Sequence, residues 1–167
     1  KYLADPETAM QAYGQVLEID PFNIRGRHGM NGLIVAITEP GLRLRWLQME
    51  LKNANSKRSA EIHAEIAKLQ EENLGDIDGA IETLRTLFRE TGPDGPGFFP
   101  LSRLFRKSKR WKDMVLLLQE KAEAQEDPEK KVETLEEAIF IFHEELASTE
   151  EQLGEELLQE GVALLAG

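Results

Sequence analysis

The sequence predicts an all-α chain of about nine helices, paired as antiparallel hairpins that stack on one another. Three observations predict it. The helix formers Ala, Leu, Glu, Lys, Gln and Arg dominate the 167 residues, with little of the Val/Ile/Thr alternation that strands require. Apolar residues recur at spacings of three and four between short breaks rich in Gly, Pro and Asn. The pattern also repeats along the chain.

In order, Asp5-Pro6-Glu7 is a helix start: Asp caps, Pro suits the first helical position and Glu complements the dipole. This helix carries Ala9, Tyr13, Val16 and Leu17 on one face and stops before Asp20-Pro21. A second runs from about Asn23 to Ile37. Its Gly26, Gly29 and Gly32 each weaken it by roughly 1 kcal/mol relative to Ala, but let another helix sit unusually close. After the Glu39-Pro40-Gly41 break, a third runs from about Leu42 to Asn53 with Leu42, Trp46 and Met49 inward.

The stretch from Glu65 to Leu87 holds two helical patterns joined at Leu74-Gly75-Asp76. Ile62, Ile66, Leu69 and Asn73 share a face, as do Ile77, Ala80, Ile81, Leu84, Leu87 and Phe88. Gly75 suits the left-handed conformation that ends a helix, and Asp76 can cap the next. Thr91 to Pro100 is too rich in Pro and Gly for regular structure, and reads as a loop anchored by Phe98 and Phe99. A short helix, Leu101 to Lys107, precedes another from Trp111 to Gln125. Asp127-Pro128-Glu129 opens the next helix, through Leu146. The capping box Ser148-Thr149-Glu150-Glu151 opens the last, through Leu153, Leu157, Leu158, Val162 and Leu165.

Laid on one another, Asp5, Ala9, Tyr13 and Leu17 match Asp76, Ala80, Leu84 and Phe88 at an offset of 71. Ile66, Leu69, Glu72 and Leu74 match Ala138, Ile141, Glu144 and Leu146 at 72; Ile77, Ala80, Ile81 and Leu84 match Trp111, Met114, Val115 and Leu118 at 34. A unit near 34 residues, echoed at twice that, marks a stacked helical-hairpin array. The units read as 1–21, 22–56, 57–92, 98–125 and 127–167 of a single domain.

The spacing of Ala9, Tyr13, Val16 and Pro21 resembles the second helix and closing proline of a tetratricopeptide repeat. Leu74-Gly75-Asp76 followed by Ala80 resembles the same family's corner and small-residue position. The resemblance is carried best by residues 5–21 and 65–93. It implies a right-handed superhelix, an α-solenoid, whose first helices line a concave groove for a protein or peptide partner. Carried onto this sequence, the groove-facing candidates are Arg25 and His28; Glu65, Leu69, Glu72 and Asn73; and Phe99, Arg103, Arg106 and Lys107. Glu65 and Glu72 would repel a carboxylate, which disfavours a carboxylate clamp.

The net charge of −11 is uneven. Residues 119–167 hold 15 Asp/Glu against 3 Lys/Arg, leaving residues 1–118 at +1. Residues 85–112 carry eight Arg/Lys against Glu90 and Asp94. No cysteine is present, which excludes disulfides and thiolate metal sites. No apolar run approaches the ~18–20 residues that span a bilayer, and no signal peptide is visible. The chain opens on Lys1 within a helical pattern and reads as a piece of a longer protein; a cytoplasmic setting is favoured.

Catalytic and metal patterns find no match. His28, His63 and His143 fall on separate helices, and the second histidine that His143-Glu144 would need for a zinc motif is Ala147. Asp76-Ile77-Asp78-Gly79 lacks the remaining oxygen ligands of a calcium loop. The Gly92–Gly97 loop lacks the Lys-Ser/Thr of a phosphate-binding loop. No cofactor is expected. The basic run from Arg103 to Lys112 interleaves Phe105 and Trp111, a composition that can grip phosphates and stack bases. Both aromatics sit at core positions, so burial is expected and nucleic acid is the lesser expectation. A non-catalytic protein-interaction scaffold is the leading reading. Self-assembly comes second, with the acidic end of one copy meeting the basic middle of another.

Overall fold

The computed structural model describes residues 5–36 and 39–146; side chains of residues 34–36 are outside the description. Among the described residues the chain is all-α, with eight α-helices and no strand. The helices are α1 (Pro6–Ile19), α2 (Ile24–Ala36), α3 (Pro40–Leu51), α4 (Ser56–Leu69), α5 (Ile77–Thr91), α6 (Phe98–Lys107), α7 (Trp111–Ala124) and α8 (Pro128–Glu145). The expected ninth helix, from Ser148, lies outside the described residues. Spatially the chain divides into two compact units, Lys1–Thr83 and Leu84–Gly167.

In the first unit the contacts fix the direction of each pair. Gly26 lies against Val16 and Leu17, and Gly29 against Tyr13, so α2 runs antiparallel to α1. Arg58 meets Glu50 and Arg43 meets Glu65, which sets α4 antiparallel to α3. Arg45 meets Glu7 and Met49 meets Gly14, so α3 runs parallel to α1. Antiparallel neighbours with alternate helices parallel is the arrangement a stacked hairpin array requires. The core is Met10, Met30, Leu33, Trp46, Leu47, Ile62, Ile66 and Leu69.

The glycines of α2 behave as packing residues at two of three positions. A Cβ on Gly29 would fall 2.3 Å from the Tyr13 ring and one on Gly26 3.0 Å from Leu17, whereas one on Gly32 would meet nothing within 4 Å. The α4–α5 corner also forms as its residues dictate. Gly75 takes φ +67° and Asp76 Oδ1 accepts from the Gly79 N–H at 2.9 Å. One feature of that corner was not expected: α4 runs on into a π-helical turn, Gln70–Leu74. The buried Gln70 holds it, its carbonyl accepting from the Asp76 N–H and its Oε1 from Thr83 Oγ1 at 2.8 Å.

In the second unit, α6 begins at Phe98, three residues before the expected start, because Pro100 falls in the first turn, where its missing N–H leaves no bond unmade. Phe98 is buried under the Lys121 ammonium, 3.8 Å from its ring centre, but Phe99 is 76% exposed, meeting Phe98 edge-on with ring centres 5.4 Å apart. Leu101, Leu104, Phe105, Leu117 and Leu118 are almost wholly buried.

The 34-residue offset survives as a burial pattern. Ala80, Ile81 and Leu84 are buried, and so are Met114, Val115 and Leu118. Ile77 and its match Trp111 are both only half-buried, since each opens its helix at the edge of the packed face. The expected burial of Trp111 is therefore met only in part.

Candidate functional site

The residues expected to face a partner fall into three groups. Arg25 and His28 are exposed, one turn apart on α2. Glu72 and Asn73 are exposed on the π-helical turn, with Glu72 4.0 Å from Lys68. Leu69 is a correction: it belongs to the core of the first unit, because the α4 stripe that carries Ile62 and Ile66 turns it inward. Glu65 is half-buried and ion-paired to Arg58 and Arg43. In the second unit Arg103, Arg106 and Lys107 are exposed on one helix, and Arg106 donates to Glu137 of α8.

Two features of the first unit escape a sequence reading. One is a four-part ionic centre on Arg58. Its Nε and Nη2 donate to the two oxygens of Glu50, at 2.8 and 3.1 Å, a bidentate fork. Its Nη1 reaches Glu61 at 3.1 Å and Glu65 at 3.2 Å. The Glu50 hydrogen bond, above all, holds the guanidinium pKa above its ordinary value, against the opposing effect of burial. The Glu61 and Glu65 partners lie at helical spacing from Arg58, so a signal was present; Glu50 comes from another helix and gave none.

The other feature is a cavity of about 320 Å³ at one end of α1, α2 and α3. Leu17, Trp46 and Met49 give it an apolar wall, and Gly14 makes room for Met49, whose Cε lies 2.3 Å from where a Cβ would stand. Its rim is the Asp20–Asn23 turn, a tightly held one. Asp20 Oδ1 accepts from the Phe22 N–H at 3.1 Å and Asn23 Oδ1 from the Gly26 N–H at 2.9 Å. The turn aims Phe22 outward, 80% exposed, between Ile19 at 88% and Ile24 at 81%. Arg27, Lys52 and Glu18 supply the charged edge.

No protein-family model matches this chain, and no curated protein matches it. A solved structure described as "Crystal structure of MamA" is similar over 97% of this chain and 88% of that one, at 14% identity and a TM-score of 0.44. At that level the likeness decides neither fold nor function. The helix pairing stands on this chain's own contacts.

No group of three or more His, Asp or Glu that could hold a metal occurs among the described residues. No described helix is long and apolar enough to cross a membrane. The described surface offers exposed apolar side chains, Ile19, Phe22 and Ile24 among them, beside charged ones.

Proposed function

We propose that this chain is a non-catalytic protein-interaction scaffold of the tetratricopeptide-repeat kind, binding a protein or peptide partner within a larger assembly. The observation that carries this reading is the solvent exposure of Ile19, Phe22 and Ile24 together, beside a cavity with an apolar wall. Exposed apolar patches are costly in water and mark contact surfaces. The helix pairing supports the repeat reading, with alternate helices parallel and burial recurring at the 34-residue offset.

Each unit adds exposed polar candidates of its own: Arg25, His28, Glu72 and Asn73 in the first, and the α6 row of Arg103, Arg106 and Lys107 in the second. Arg106 already engages an acidic side chain on a neighbouring helix. That favours acidic protein surfaces over nucleic acid for the row, and leaves self-assembly as the second reading.

Affinity capture from source-cell lysate, read by mass spectrometry, tests the proposal. Wild type is compared with an Ile19→Ser/Phe22→Ser variant and an Arg103→Glu/Arg106→Glu/Lys107→Glu variant. A partner held by wild type and lost from either variant supports the scaffold reading. No specific partner, or equal capture by all three, overturns it.

A further inference from the structure

The α1–α2 turn carries the three most exposed large apolar side chains among the described residues: Ile19, Ile24 and Phe22, at 88%, 81% and 80%. They sit at the tip of one hairpin, Ile19 ending α1 and Ile24 opening α2. Scattered apolar side chains are ordinary on a surface; three on one short turn form a patch. The turn holds them in a fixed arrangement, because Asp20 accepts from both the Phe22 N–H and, at 3.4 Å, Asn23 Nδ2.

The charges around the patch are split by sign. Glu18 and Asp20 precede Phe22, on the α1 side, and Arg25 and Arg27 follow it, on α2. All four are exposed. Glu18, Arg25 and Arg27 form no ion pair with any described residue. Because α2 runs antiparallel to α1, the acidic side of the tip lies beside the basic side.

A surface of this kind is its own complement. Under a two-fold rotation it meets apolar side chains with apolar ones. The rotation axis can run along the line from α1 to α2, or across it. The first choice lays α1 on α1, setting carboxylate against carboxylate and guanidinium against guanidinium. The second lays α1 of each copy on α2 of the other, and opposite charges meet. Like charges brought face to face repel, so the charges select the second.

We propose that the α1–α2 tip docks onto the same tip of a second copy of this chain, α1 over α2, as a two-fold dimer. Ile19, Phe22 and Ile24 of both copies supply the apolar centre, and Glu18 of each copy meets Arg25 and Arg27 of the other. The inference rests on the scaffold reading for the patch being a contact surface, and names the protein that this surface takes.

Sedimentation velocity of the full chain over a concentration series tests it. The expected result is a reversible monomer–dimer equilibrium, weakened about tenfold or more by I19S/F22S and by R25E/R27E, and about threefold or more by E18R. The substituted side chains are all exposed, and circular dichroism checks that each variant keeps its helices. Mixing E18R with R25E/R27E restores the dimer, since each reversed charge then faces its opposite. R103E/R106E, the same change of net charge placed on α6, dimerises like wild type.

A monomer at every concentration overturns the proposal. So does a dimer that I19S/F22S or R25E/R27E leaves intact, or a mixture of the charge variants that stays monomeric. A dimer lost in R103E/R106E assigns self-association to the α6 row and overturns it as well. The scaffold reading fails separately. A monomer that still captures a lysate partner, lost from I19S/F22S, sinks this inference and leaves the scaffold standing; a monomer that captures nothing sinks both.

Discussion

Residues 1–83 and residues 84–146 use the same hairpin plan and finish it differently. In the first unit the α1–α2 pair closes on glycine: Gly26 and Gly29 let the backbones approach, and Tyr13 and Leu17 fill the space that side chains of α2 leave empty. Of the described side chains of α2, Met30 and Leu33 enter the core while Ile24 stays in solvent, and a cavity remains where α1, α2 and α3 meet. In the second unit Leu101, Leu104, Phe105, Leu117 and Leu118 fill the interior almost completely, and Arg85 lies over the Phe105 ring at 5.2 Å. Close backbone approach lowers the volume available for side chains; branched and aromatic side chains fill it. The contrast shows how one repeat plan can yield a tightly packed region and a region with room for a guest.

The largest test of that contrast is Phe105→Ala. Phe105 is fully buried, and its loss leaves both a cavity and an uncovered Arg85 guanidinium, so a cost of about 3–5 kcal/mol is expected by urea denaturation. A cost below about 1 kcal/mol would mean that the second unit is no better packed than the first.

Gly97→Ala comes next. A Cβ there would stand 2.5 Å from the Phe88 amide nitrogen and 2.8 Å from its Cα, backbone atoms that cannot rotate aside. A loss of about 2 kcal/mol is expected in thermal unfolding. The smallest effect has the opposite sign. Gly32→Ala adds a methyl group where nothing lies within 4 Å, in the interior of α2, and should stabilise by roughly 0.5–1 kcal/mol. If it destabilises instead, α2 needs that glycine for a contact other than packing.

The helix starts at Asp5-Pro6 and Asp127-Pro128 and the Gly75 stop were legible because they are local events. A carboxylate meets N–H groups two or three residues ahead, and a residue without Cβ adopts positive φ, whatever the rest of the chain does. The basic row on α6 was legible for the same reason, since Arg103, Arg106 and Lys107 share a face by spacing alone. Leu69 was misplaced because the helical period groups it with Ile62 and Ile66 without saying which face meets the core. Phe98 and Phe99 are adjacent and chemically identical; only packing distinguishes the one under Lys121 from the one in solvent.

By itself, then, the sequence determined the helical class, the caps and breaks, the 34-residue recurrence and the uneven charge. Each follows from residue type and short spacing. Tertiary structure decided that Arg58 gathers Glu50 from another helix, that Gly14 admits Met49, and that Arg27 and Lys52 share the rim of one cavity. These pairs are separated by 8, 35 and 25 positions in the sequence. Their meeting depends on how four helices pack, which no local periodicity encodes.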